Sequence, residues 1–160
     1  PHLFAEVFEQ ATGTFMTGIP YKGSAPALTA LMAGEVQVYF DVLMSSLAHL
    51  ASGKLKALGV SSRERVSVLP NVPTFDEQGV PGLEFSAWFG LVAKAGTPDP
   101  VVQQLNAAMN QALQASPFTT RVKELGATAG GGSPAAFQKT IVDEAAYWGR
   151  VIKDRGIRAE

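Results

Sequence analysis

The sequence predicts an α/β protein built on an open sheet of parallel strands. Two observations carry this. Helical and extended patterns alternate through residues 1–60, with glycine at the breaks. That β-α-β-α-β order returns each strand parallel to the last through right-handed crossovers, placing helices on the sheet faces. The second observation is composition. At 46% apolar over 160 residues, the chain can bury a core in one domain or two small lobes.

Each element follows from its own pattern. Leu3, Phe4, Val7, Phe8 and Ala11 recur at helical spacing and predict a helix over 2–12, with Pro1 suited to a helix start. Gly13 breaks it, and 14–19 reads as a strand. A helix near 25–33 buries Leu28, Leu31 and Met32 and stops at Gly34. "VQVYF" at 36–40 is a short strand ending at Asp41. "LMSSLAHLA" at 43–51 reads as a helix and "LKALGV" at 55–60 as the next strand.

Residues 61–83 are rich in proline and read as a surface excursion, with one short helix near 74–79 starting from Thr74. "LEFSAWFGLVA" at 83–93 is a long extended run that can pass from one lobe to another. Thr97, Pro98 and Asp99 form a helix start with Thr97 as the cap. Val101, Leu105, Met109, Ala112 and Leu113 stripe the helix that follows, and a shorter one spans 117–125. Residues 126–133 read as strand or loop. Ser133 and Pro134 open a last helix carrying Phe137, Ile141, Ala145, Trp148 and Ile152 on one face.

Composition narrows the chemistry. A net charge of −1 supports neither nucleic acid nor an anionic membrane as partner. Lys54, Lys56, Arg63 and Arg65 read as a solvated face. The absence of cysteine excludes disulfides, thiolate metal sites and cysteine nucleophiles. With two histidines, His2 and His49, far apart in sequence, no metal site is expected. No cofactor motif is present either. "GGGS" at 130–133 lacks the spacing of a dinucleotide fingerprint, and "SGK" at 52–54 lies between helix and strand, the reverse of a phosphate loop. Ser45 and Ser46 have no base beside them, and His49 lies near a helix end, where it meets solvent or the terminal carbonyls.

Two features at the carboxyl ends of predicted strands remain, the Tyr21–Pro26 turn and Asp41. Ligands of open α/β sheets bind at that edge. A helix N-terminus there offers unpaired N–H groups and a partial positive charge, which suits a carboxylate. Gly23 lets backbone approach a ligand, Ser24 caps the helix or turns its hydroxyl outward, and Pro26 removes one donor. The bland alternative is an ordinary strand–helix joint with a capping serine.

The stretch "PYKGSAPALTALMAGEVQVYFD" (20–41), "LASGKLKALGV", "LPNVPTFDEQGVPGLEFSAWFGLVAKAGTPDPVVQQLN" and the closing "WGRVIKDRGI" together resemble the Bug family, the solute receptors of tripartite tricarboxylate transporters. The likeness covers essentially the whole chain. It implies a type II-like periplasmic binding protein with two α/β lobes joined by crossing strands. A small carboxylated ligand is held between them, unaltered, for docking on membrane permease subunits. An enzyme on a related α/β scaffold is the alternative. The resemblance places residues 1–84 in the second lobe, without its opening strand. Residues 85–160 become the crossover strand and the C-terminal helical part of the first lobe. The chain is then expected to be the C-terminal part of a longer receptor, self-associated or bound to an N-terminal half. His2 would follow a ligand-contacting loop. Tyr21, Gly23, Ser24, Ala25 and Pro26 would bind a carboxylate through backbone N–H groups and water. Asp41 would face the cleft, with Val42 where many members carry Asn. Trp88 and Phe89 match an aromatic pair read as hinge packing.

Overall fold

Among the described residues, 1–157 of a computed structural model, six α-helices carry the regular structure. The chain divides into two units, Pro1–Ala87 and Trp88–Glu160. Residues 158–160, the end of the expected second segment, lie outside the described residues. The first unit holds α1 (His2–Thr12), α2 (Ser24–Ala33) and α3 (Leu43–Ala51). The second holds α4 (Asp99–Gln114), α5 (Ser116–Glu124) and α6 (Pro134–Arg155). No helix of the described residues is long and apolar enough to cross a membrane.

Most helix signals act where the pattern places them. Gly34 closes α2, its N–H donating to Leu31 O at 3.1 Å. Ser133 caps α6 by accepting from Ala136 N at 3.1 Å. Thr97 does not cap α4. Its hydroxyl donates to Lys94 O at 2.7 Å and tightens the turn before the helix, so Pro98 stands at the cap position. A hydroxyl engaged as a donor upstream is turned away from the helix amides it would have to accept from.

Thr74 starts its short helix as expected. Its Oγ1 accepts from Glu77 N at 3.1 Å while Glu77 Oε2 accepts from Thr74 N at 2.8 Å. This reciprocal pair is a capping box, closing a 3-10 turn over Asp76–Gln78. Arg65 Nε donates to both Glu77 oxygens, at 3.0 and 2.8 Å. The Arg65 bond first, then the Thr74 amide, hold the Glu77 carboxyl below the usual carboxylate range. A carboxylate with a depressed folded-state pKa stabilises above its unfolded pKa, and that contribution is lost as pH falls through the folded value. Acidification below about pH 4 is therefore expected to loosen this turn. Amide exchange at Thr74 and Glu77 reads it, and Glu77→Gln should remove the pH dependence while leaving neutral-pH exchange already fast.

The expected strands differ from the structure. Segments 14–20, 38–42 and 86–94 run without helical bonds, yet form no strand ladder among the described residues. Among the described residues one isolated bridge forms, pairing Val60 in parallel with Thr74, not with 36–40. A strand is a property of two segments at hydrogen-bonding distance, and these have no described neighbour there. Their apolar side chains are correspondingly open, with Phe15 88% and Phe89 77% exposed. The chain exposes 11380 Å² in all. Two separate compact units of half its mass would together expose roughly 9,300 Å².

The proline-rich excursion is not only surface. Thr74 and Leu83, both from it, are buried together with Ala27, Leu28 and Ala30 of α2. The Val60 bridge draws Thr74 inward. Ser61 then ties the far end, its N-terminal neighbour's segment held to 83–85 by Phe85 N donating to Ser61 O at 3.0 Å and Ser61 Oγ donating to Phe85 O at 2.8 Å. Beside this lies a cluster of phenylalanines from four parts of the chain: Phe4 and Phe8, Phe40, Phe75 and Phe85.

In the second unit, Trp88 stacks edge-on against Phe137 of α6, with centroids 5.0 Å apart. The packing reading of Trp88 fits this contact. Gly90 lets the ring in, since a Cβ there would lie 2.1 Å from Phe137 Cζ. Asn110 of α4 grips the loop before α6, donating to Gly132 O at 2.9 Å and accepting from Gly132 N at 2.8 Å.

Candidate functional site

The turn before α2 is shaped by glycine. Gly23 N donates to Tyr21 O at 2.9 Å. Gly23 then adopts φ 99°, ψ 178°, a region populated almost only by glycine. α2 starts on the next residue: Gly23 holds the cap position and no side chain caps the helix, so of the two roles open to Ser24 the capping one is not taken. Pro26 is third in the helix and carries no N–H. That leaves the N–H groups of Ser24 and Ala25 without a partner among the described residues. They sit at the positive end of the α2 dipole.

Ser24 turns its hydroxyl sideways, donating to Asp41 Oδ1 at 2.8 Å. Tyr39 OH donates to Ser24 Oγ at 3.4 Å. Alternation along the extended segment explains both contacts. Tyr39 and Asp41, two apart, lie on one side, while Phe40 between them points into the phenylalanine cluster. Tyr39 was not singled out from sequence, but this two-residue spacing to Asp41 was the available signal. Asp41 Oδ2 is buried and accepts no hydrogen bond from the described residues.

The structure thus joins Ser24 to Asp41 across 17 residues, with Gly23, Ala25 and Pro26 in the same turn. Tyr21 is half-buried at its start, and Ala25 and Pro26 are exposed. His2 is not brought to the turn by any hydrogen bond or ion pair. Its Nε2 lies 3.4 Å from Glu6 Oε1, one turn along α1. No group of three metal-ligating side chains occurs among the described residues.

Chemically, such an arrangement can hold an oxyanion. Two bare N–H groups point out of a helix start, and the Ser24 hydroxyl proton is already committed to Asp41. An anion here would be held by backbone, with the serine as a positioned neighbour.

Comparison with solved structures places the fold among periplasmic solute-binding proteins. The chain is 40% identical to the R. palustris protein Rpa4515, solved with adipate, with a TM-score of 0.90 over 98% of this chain and 52% of that one. It is 35% identical to the periplasmic binding protein BugD, with a TM-score of 0.88 over 99% of this chain and 54% of that one. MatC from Rhodopseudomonas palustris, solved with malate, is 35% identical, with a TM-score of 0.86 over 94% of this chain and 52% of that one. Residues 1–157 match the profile of TctC, the tripartite tricarboxylate transporter family receptor. The chain belongs to that family. It spans about half the length of the first curated relatives it matches, 47% and 48% of them.

Proposed function

We propose that this chain forms the carboxylate-anchoring part of a periplasmic receptor. The receptor binds a small carboxylated solute, leaves it chemically unchanged and presents it to membrane permease subunits of a tripartite tricarboxylate-type transporter. The observation that carries this reading is the pair of unpartnered N–H groups, Ser24 and Ala25, at the start of α2. Two structural neighbours with carboxylate ligands in the same family support it. The anchor works by exchange. Water on the two amides is replaced by carboxylate oxygens, whose charge the helix dipole favours. Asp41 supports the exchange indirectly by fixing Ser24 and thereby the first turn of α2.

Thermal denaturation with adipate, malate and the neutral diamide of adipate tests the proposal. A ligand at about a hundred times its Kd adds about 2.7 kcal/mol to the folded state. The acids should therefore raise the melting temperature by several degrees and the diamide should not. NMR of the recovered ligand should show it unaltered. Equal stabilisation by the diamide would remove the carboxylate anchor, and turnover would replace the receptor by an enzyme.

A further inference from the structure

The Trp88–Glu160 unit has no interior of its own. Ala27, Leu28, Ala30, Thr74 and Leu83, the buried residues among those described, all lie in the first unit. The second unit leaves apolar side chains open in two rows. One row is on α4, where Val101, Leu105 and Met109 recur every four residues and stay exposed. Asn106 and Asn110, not this row, reach the loop before α6, both donating to Gly132 O at 2.9 Å.

The other row is in segment 88–93. The Phe137 ring packs on Trp88 and fills the space of a Gly90 Cβ, so residues 88 and 90 share a side, as in extended backbone. Phe89 and Leu91 then face the opposite way and are exposed. Val92, on the Trp88 side, is exposed as well. Apolar side chains on both faces are the pattern of a strand inside a sheet covered on both faces. The backbone is open too. From Trp88 to Ala93 no N–H donates to, and no C=O accepts from, the backbone of another described residue. A segment unpaired on both edges invites strand addition.

The open surface is large enough for a stable partner. The chain's 11380 Å² exceeds by about 2,000 Å² what two compact units of its mass expose, against the roughly 800 Å² per partner of a standard interface. A second copy pairing through the same segment would fill one edge and leave the other open, because a two-fold interface matches one patch with itself. A polypeptide supplying two strands fills both. The relatives point to its source. Rpa4515 has this fold at a TM-score of 0.90, and only 52% of its chain is accounted for by the match.

We infer that the Trp88–Glu160 unit is a docking surface for the complementary half of a receptor of this family, and that the two halves assemble without a covalent link. The partner adds strands to both edges of 88–93 and covers Phe89, Leu91 and the α4 row. This surface is independent of the carboxylate anchor, which lies in the other unit.

Co-expression of the 160-residue chain with the portion of Rpa4515 that it does not cover tests this assembly. Native mass spectrometry should show a 1:1 complex. In it the amides of 88–93 should exchange with deuterium at least about a hundredfold more slowly than in the chain alone, as they enter a hydrogen-bonded sheet. The double variant F89D/L91D should abolish the complex. It should keep wild-type exchange at the Val60 and Phe75 amides, which are bonded to Pro73 O and Val60 O in the first unit and report that the variant is folded. Absence of a complex, equal exchange of 88–93 with and without the Rpa4515 portion, or a complex still formed by F89D/L91D would overturn the assignment. Protection of 88–93 in the chain alone, rising with its concentration, would give the surface to a second copy and overturn it as well. The wild-type exchange result decides the matter even if the variant does not fold.

Discussion

Phe4→Ala is expected to destabilise the Pro1–Ala87 unit by about 3 kcal/mol, the lower end of the range for removing a core phenylalanine. The lower end applies because the five rings are partly rather than fully buried. Phe4 is the hub of the cluster. Its ring centroid lies 5.2 Å from Phe40, 5.8 Å from Phe75 and 5.4 Å from Phe85, the last pair edge-on at 89°. Truncation removes three aromatic contacts at once, each worth about 0.5–1.5 kcal/mol beyond area burial. Phe8 retains contacts with Phe40 and Phe75 and limits the collapse. Urea denaturation measures the loss, and Phe15→Ala is the control. Phe15 is 88% exposed, so its truncation should change stability by less than about 0.5 kcal/mol. A second consequence reaches the site. Phe40 is the neighbour of Tyr39 and Asp41, so loosening its grip should also free the two residues that hold Ser24. Carboxylate affinity should fall in Phe4→Ala under conditions where the protein is still folded.

Gly23→Ala is expected to weaken carboxylate binding more than tenfold. No steric clash is involved, because a Cβ at Gly23 would meet nothing within 4 Å. The cost is in the backbone. At φ 99° and ψ 178° an alanine is strained by about 1–3 kcal/mol. The chain can relieve that strain only by rotating the peptide that carries the Ser24 N–H, which is one of the two proposed ligand donors. Gly82→Ala separates this effect from general strain. Gly82 also has a positive φ, 81°, with open space around it, but does not precede a helix start. It should lose stability and keep its affinity. Titration of adipate into the two variants decides the matter. Equal affinity in Gly23→Ala and wild type would mean that the α2 start does not hold the ligand.

Helices were legible because their signals are local. Gly34 closes α2 and Ser133 caps α6 through residues within four positions of themselves. Thr97 misled because a cap needs a free lone pair facing the helix, and Lys94 O had taken the hydroxyl. The role of Ser24 stayed open between two alternatives for a related reason: its partner is Asp41, 17 residues away. The strands at 14–19 and 36–40 could be read as extended but not as paired, since pairing depends on a second segment. The excursion at 61–83 read as surface from its prolines, although Thr74 and Leu83 lie inside.

The sequence by itself determined the helices, the glycine-set turn before α2 and, through resemblance, the receptor family. Only the tertiary structure decided that Ser24 serves Asp41 rather than the helix and that Tyr39 belongs to the same constellation. The reason is range. Backbone conformation and capping are settled over three or four residues, whereas a hydrogen bond between distant segments exists only once the chain has brought them together.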